Sequence, residues 1–227
     1  MTALAIDQGT TSTRALLVDA AGGITPLLGL PHRQSYPRPG WVEHDPEELI
    51  ANLRACLDAA GGIADLAAVG LANQGESCLA WDSHTGQALG PVIVWQDDRT
   101  RDHIEDLRRA GAEPLVRDRA GLPLDAYFSA SKLGWIMREI PQAATLAAQG
   151  RLRLGTTDAF FRDRLTGRFE TDVTTASRTA LMNLATCTWD TELCALFGVP
   201  PEALPAIGPT TGALGALACG ARAVPLT

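Results

Sequence analysis

Apolar positions come in short blocks at the start of the chain and at helical spacing further on. Leu4-Ala5-Ile6 is a short apolar run, Gln8-Gly9-Thr10-Thr11-Ser12 is polar and turn-like, and Ala15-Leu16-Leu17-Val18 is apolar again. Blocks of this kind predict two strands joined by a tight turn, and Gly22-Gly23 turns the chain into a third, from about Ile24 to His32. Three neighbouring strands predict an antiparallel meander. Pro37, Pro39 and Gly40 mark a loop, and Asp45-Pro46-Glu47-Glu48 opens a helix. Asp45 can cap it, Pro46 suits the first helical position, and the two glutamates lie at the positive end of the helix dipole. Leu49, Ile50, Leu53 and Leu57 share one face, and Gly61-Gly62 ends the helix.

Ala67 to Ala72 reads as a buried strand. Leu79-Ala80-Trp81 and Val92-Ile93-Val94-Trp95 give two more, with Gly86 in the turn between them. Downstream the texture is helical. Arg99 to Arg109 reads as a charged, solvent-facing helix, Ser131 to Glu139 as an amphipathic one on Leu133, Ile136 and Met137, and Asp158 to Leu165 as a third. Strands first, then a strand–helix–strand alternation and an added helical half describe an α/β domain. From Gly208 the chain is rich in Gly, Ala, Pro and Thr, which reads either as a frayed terminus or as a chain cut before another domain.

Composition narrows the class. Of 227 residues, 46% are apolar and 20% charged, which excludes a disordered or collagen-like chain and leaves room for one large domain or two small ones. The 26 acidic against 19 basic side chains give a net charge of −7, which argues against nucleic acid or an anionic membrane as partner. No apolar run approaches the ~18 residues of a membrane span, and the first residues lack the basic start of a secretion signal, so a cytoplasmic protein is expected. Cys56, Cys78, Cys187, Cys194 and Cys219 are widely spread, with no C-x-x-C and no His at metal spacing. They read as reduced, packed thiols, not as a metal cluster.

Two segments carry chemistry. In Asp7-Gln8-Gly9-Thr10-Thr11-Ser12-Thr13-Arg14 an acidic residue ends an apolar strand, followed by a glycine turn, four hydroxyl side chains and an arginine. Such a turn can offer N–H groups and hydroxyls to phosphate oxygens, with Arg14 as a charge-assisted donor and Asp7 near a magnesium ion. The alternative is a polar turn whose hydroxyls satisfy local backbone groups. No G-x-x-x-x-G-K-[ST] occurs, so a P-loop is excluded. The second segment, Asn73-Gln74-Gly75-Glu76, follows a strand directly. Polar groups at a strand end suit a small hydrophilic substrate, or form a solvated loop.

The first segment closely resembles the phosphate-binding turn of the FGGY carbohydrate kinases, the glycerol kinases in particular. Pro39-Gly40-Trp41-Val42-Glu43-His44-Asp45-Pro46, Ile93-Val94-Trp95-Gln96-Asp97-Asp98-Arg99-Thr100 and Thr175-Ala176-Ser177-Arg178-Thr179 agree in the same order, as do Tyr127-Phe128-Ser129 and Gly155-Thr156-Thr157-Asp158. The resemblance implies an actin-like, ribonuclease-H-like α/β fold, with a mixed sheet, flanking helices and the active site in a cleft between two domains. ATP would donate its γ-phosphoryl to a hydroxyl of a small polyol or sugar, with Mg2+ bridging the phosphates. By resemblance Thr10, Thr11, Ser12 and Arg14 would contact the ATP phosphates, and Asp7 would hold the magnesium, through water. Gln74, Gly75, Glu76, Trp95 and Tyr127 would form the substrate wall: Glu76 accepting from hydroxyls, Tyr127 bonding from another side, Trp95 packing on the carbon backbone.

Gly75 departs from the pattern, since glycerol kinases carry arginine there. Its loss removes a charge-assisted donor and vacates about one side chain of space, which points to a longer polyol or a sugar. The family's aspartate base, in a G-D-Q-type motif, and its adenine-binding domain have no counterpart in the sequence. Residues 1–227 are therefore expected to be the N-terminal, substrate- and phosphate-binding domain of a kinase, close to inactive without the missing C-terminal kinase domain as partner; a homo-oligomer is compatible with this. The alternatives are a sugar-binding or regulatory module derived from a kinase half, and an actin-like ATPase with a protein partner. Trp41, Glu43 and His44 read as fixing a loop by packing or covering the cleft, and His32, His84 and His103 as surface residues. Thr175 to Arg178 reads as a buttress behind the site, and Asp172 as a carboxylate with no argument placing it in the cleft.

Overall fold

The computed structural model describes residues 1–227. Its first three strands, β1 (Thr2–Gln8), β2 (Ser12–Asp19) and β3 (Ile24–Pro31), form the expected meander, with Asp7 opposite Arg14 and Gln8 opposite Thr13. After the two-residue β4 (Glu43–His44), helix α1 (Pro46–Ala59) starts where the sequence places it, and the Asp45 carboxylate accepts from Glu47 N at 2.9 Å. A cap of this kind is worth about 1 kcal/mol. The apolar face of α1, with Leu49, Ile50, Leu53 and Leu57, is buried. Strand β5 (Leu66–Ala72) returns parallel to β1.

Strands β6 (Cys78–Asp82) and β7 (Val92–Ile93) lead into a helical stretch of α2 (Arg101–Arg109), α3 (Glu113–Ala120), α4 (Ser129–Glu139) and α5 (Pro141–Ala148). Then come β8 (Leu152–Thr156), α6 (Thr157–Thr166), β9 (Glu170–Asp172), α7 (Val173–Ser177), the small hairpin β10 (Met182–Asn183) and β11 (Thr188–Trp189), and α8 (Thr191–Phe197). The chain closes with β12 (Ala206–Gly208), β13 (Gly215–Cys219) and β14 (Arg222–Leu226). The main sheet is mixed and six-stranded, in the order β13-β14-β5-β1-β2-β3, and β4-β7-β6-β8 form a second, antiparallel sheet.

Strand β6 joins two cores. Its alternate residues Leu79 and Trp81 face the core built with α1, α6 and the main sheet, while Cys78 and Ala80 face the core of α4, α5 and α8. Period-two side-chain alternation thus lets one strand serve two apolar layers, and every residue of β6 is buried. At Gly134 in α4 an added Cβ would run into the Phe197 carbonyl oxygen, so glycine is what permits α4 and α8 to cross so closely.

Several expectations need correction. Strand β5 is only partly buried, although it lies inside the sheet. Strand β7 stops at Ile93, and α2 begins at Arg101, so Arg99 stands outside the helix, with its side chain 1% exposed. Its guanidinium bonds Asp97 and Glu43 and packs on the Trp41 and Trp135 rings, which stand edge-on to each other, at 3.8 and 4.7 Å from their centroids. Trp41 and Glu43 therefore fix the loop by packing. His32 is buried and His103 half-buried; only His84 is exposed. Cys187 is also exposed, at a left-handed φ of 54° in the β10–β11 turn, while the other four thiols are buried. The segment after Gly208 is not frayed: Leu217, Cys219, Val224 and Leu226 alternate inward along a hairpin, and Thr227 N donates to Val69 O at 3.0 Å.

Candidate active site

The β1–β2 turn is closed by one backbone bond, from Gly9 N to Ser12 O at 3.0 Å. The peptide N–H groups of Thr10 and Thr11 donate to no acceptor in the chain, and the Thr11 and Ser12 hydroxyls and the Arg14 guanidinium make no bond within it. Asp7 and Arg14 are exposed cross-strand neighbours, so a carboxylate and a guanidinium flank a set of free donors. Strand alternation turns Thr13 inward, where its buried hydroxyl has no partner. The turn is held from below by the end of β3: His32 N donates to Thr11 O at 3.2 Å, and the His32 ring donates from Nε2 to Thr10 O at 3.0 Å. A carbonyl acceptor requires the proton on Nε2. The His44 ring lies edge-on to His32 at 4.8 Å, and burial holds both imidazoles below their ordinary pKa.

The second segment leaves the end of β5 beside this turn. Gln74 donates from Nε2 to Gly9 O at 3.1 Å, and its Oε1 accepts from Ser77 Oγ at 3.1 Å. Its carboxamide is thus engaged at both ends, tying strand end to turn. Asn73 donates to Thr157 Oγ1 at 2.9 Å, which fastens the same loop to the start of α6. Gly75 has a backbone open to any residue, and a Cβ there would meet nothing within 4 Å. Glu76 is buried, with its side chain 8% exposed. Its backbone carbonyl accepts from Ser129 Oγ at 3.0 Å, and its Oε1 accepts from Arg178 Nε at 2.8 Å.

Two aromatics complete the surface. Trp95 N donates to Ser77 Oγ and its indole Nε1 donates to Thr10 Oγ1, both at 3.1 Å. The Tyr127 ring stands edge-on to Trp95 at 5.5 Å. Beneath it the fully buried Lys132 donates to Tyr127 O at 2.6 Å, and burial pulls the Lys132 pKa down. Beside Lys132, burial pushes the Cys78 thiol up to about 12. The candidate residues of both segments are therefore brought onto one surface.

Arg178, read from the sequence as a buttress, touches Glu76 directly. Lys132, Ser129 and His32 also support the site; Ser129 lies in a stretch already singled out, while the sequence gives little sign of Lys132 and His32. Lys132 looks like one more charge on an amphipathic helix. Asp172 caps α7, accepting from Thr174 N and Thr175 N. No group of three or more His, Cys, Asp or Glu side chains is placed to hold a metal ion by itself, and no helix is long and apolar enough to cross a membrane. A concavity of about 500 Å3 lies elsewhere, between Asp82, Gln87 and Leu89 and the Pro141–Leu146 face of α5.

Comparison with known proteins identifies the family. The profile of the FGGY family of carbohydrate kinases, N-terminal domain, matches residues 2–224. The chain is 49% identical over 213 residues to a glycerol kinase of Rhizorhabdus wittichii, covering 89% of the chain and 42% of that relative. It superposes on the crystal structure of Plasmodium falciparum glycerol kinase with ADP at a TM-score of 0.92 and 28% identity, covering 99% of the chain and 47% of that protein. A xylulose kinase from Rhodospirillum rubrum superposes at a TM-score of 0.86 and 26% identity, over 100% of the chain and 48% of that protein. The chain thus spans less than half the length of these relatives.

Proposed function

Because the chain belongs to the FGGY family of carbohydrate kinases, as an N-terminal domain with the actin-like, ribonuclease-H-like fold, we propose that it forms one wall of a site that transfers the γ-phosphoryl of ATP to a hydroxyl of a small polyol or sugar. The observation that carries this reading is the union of the two segments: Gln74 bonds Gly9, and Trp95 bonds Thr10, so a turn of free donors and a polar substrate wall are one surface.

On this reading the free Thr10 and Thr11 N–H groups, the Thr11 and Ser12 hydroxyls and Arg14 hold the ATP phosphates and spread their charge. Thr10 Oγ1 accepts from Trp95 and still has its own proton to donate. Asp7 fits Mg2+ as a single exposed carboxylate, because this ion keeps several waters and shares its remaining ligands with phosphate oxygens. Bound there, the ion would supply charge neutralisation at the transferring phosphoryl group. Glu76 accepts from an acceptor hydroxyl, Tyr127 and Trp95 border the carbon chain, and Gln74 braces the wall. The acceptor oxygen bonds to the γ-phosphorus as the bridging bond to ADP breaks, and the hydroxyl proton passes to a base. The general base and the adenine pocket lie, on this reading, outside these 227 residues, in a C-terminal kinase domain. A cytoplasmic setting accords with the five free thiols.

The open space at Gly75 supports an acceptor longer than glycerol. The test is ADP release by the natural protein that carries this chain, given Mg-ATP and acceptors from glycerol through tetritols and pentitols to ketoses. Turnover with one of them, lost in Glu76→Gln, is expected. Acceptor binding without ADP release would instead identify a sugar-binding module derived from a kinase.

A further inference from the structure

We propose that His32 is a positioning residue for the phosphoryl donor: its imidazole holds the Thr10 carbonyl inward and thereby aims the Thr11 N–H at the phosphates. The inference rests on the kinase reading above and adds to it a residue outside both site segments.

In a trans peptide the C=O and the following N–H point in opposite directions, and the chain has no cis bond. Fixing one carbonyl therefore fixes the direction of the amide after it. Gly9 O accepts from Gln8 Nε2 at 2.8 Å and from Gln74 Nε2 at 3.1 Å, both on buried side chains, so the Thr10 N–H faces the other way. Thr10 O accepts from the buried His32 ring at 3.0 Å, so the N–H of the exposed Thr11 also faces away from the interior. Neither amide has an acceptor in the chain. Successive N–H groups turned outward in this way make a concave seat for an anion.

Packing does not explain a histidine at this position. His32 is 8% exposed, and its Nδ1 is buried without a partner, a cost that phenylalanine would avoid. The one hydrogen bond that the ring makes goes to Thr10 O. The residue is itself framed on both sides. Its own N–H donates to Thr11 O at 3.2 Å, Arg33 O accepts from His44 Nδ1 at 3.1 Å, and Arg33 N donates to Glu48 Oε2 at 3.4 Å. Strand β4 and helix α1 thus hold residues 32 and 33, and His32 passes that rigidity to the turn. It bonds none of Gln74, Glu76, Trp95 and Tyr127, so its loss falls on the donor and spares the acceptor.

The experiment measures the Kd of Mg-ATP by titration, and KM for Mg-ATP and for the acceptor, in the natural protein, His32→Phe and His32→Gln. Phenylalanine keeps a ring and loses the donor, while glutamine carries a side-chain N–H near the Nε2 position. The expected result is Mg-ATP binding weakened about fivefold or more in His32→Phe and restored in His32→Gln, with kcat and the acceptor KM changed less than about twofold. No loss in His32→Phe, an equal loss in His32→Gln, or an equal loss for donor and acceptor would each overturn the proposal. Should His32→Phe fail to fold, His32→Asn, whose amide is too short to reach Thr10 O, takes its place against His32→Gln. A natural protein that binds Mg-ATP and phosphorylates no acceptor overturns the kinase reading alone, because the Kd comparison still decides the role of His32. One that binds no Mg-ATP overturns both.

Discussion

The indole N–H of Trp95 donates to the hydroxyl of Thr10 at 3.1 Å, joining residues 85 positions apart. Through this bond, and that of Gln74 to Gly9, the wall assigned to the acceptor and the turn assigned to the triphosphate share a frame. Trp95→Phe keeps an aromatic ring against Tyr127 and removes the donor. The lost bond is worth about 1 kcal/mol, so Mg-ATP binding should weaken several-fold. Titration of the variant checks this, and unchanged affinity would show that the turn holds its shape without Trp95.

Gly75→Arg should shift preference toward glycerol. The residue has an ordinary backbone conformation and open space at Cβ, so the substitution carries no strain and fills the vacated volume. The ratio of kcat/KM for glycerol to that for a pentitol is the quantity to measure. A ratio that does not move would remove Gly75 from the account of specificity.

Arg99 is a buried charge held by two carboxylates. Its side chain is 1% exposed and that of Asp97 is 0%, and Asp97 Oδ2 also accepts from Val42 N at 2.6 Å. Arg99→Met leaves the Asp97 and Glu43 carboxylates without their cation, and breaking such a buried pair costs about 3–5 kcal/mol. Denaturant unfolding should register that loss. A change below about 1 kcal/mol would mean the edge-on Trp41–Trp135 pair holds the loop by itself.

His32 and His44 should make the protein less stable in mild acid. Burial depresses both imidazoles in the folded state, with Glu48 opposing the shift at each. An unfolded histidine takes up its proton near pH ~6.5. As pH falls below that value the unfolded chain binds protons that the folded chain refuses, so stability is lost down to the folded pKa values. His103 is depressed in the same direction, while the buried Asp158 carboxyl is raised and contributes with the opposite sign. The variant comparison therefore isolates the pair: in His32→Phe, Tm should fall less steeply between about pH 7 and pH 5.5 than in the natural sequence. Parallel slopes would contradict the assignment.

Much of the scaffold was legible because it is local. Period-two blocks marked the β1–β2–β3 meander, and the Asp45 cap with Pro46 marked α1 to the residue. The terminal hairpin was hidden because its inward positions are separated by alanine, proline and arginine, so composition masked the alternation. The site divides in the same way. Its two segments were visible as polar runs at strand ends, but the bonds that unite them were not. Trp95 reaches Thr10 only because β6 and β7 pair beside the main sheet, and Arg178 reaches Glu76 only after α7 turns back across the wall. His32 sits among polar residues in the sequence, and nothing local shows that β3 returns it beneath the phosphate turn.

The most direct test of a single site with two halves is the amide spectrum of the isotope-labelled natural protein during titration with Mg-ATP and then with its acceptor. The account predicts that the Thr10 and Thr11 amide signals move with Mg-ATP, and that the Trp95 indole N–H moves with both ligands. Titrations that leave the Thr10 and Thr11 amides and the indole in place would contradict it.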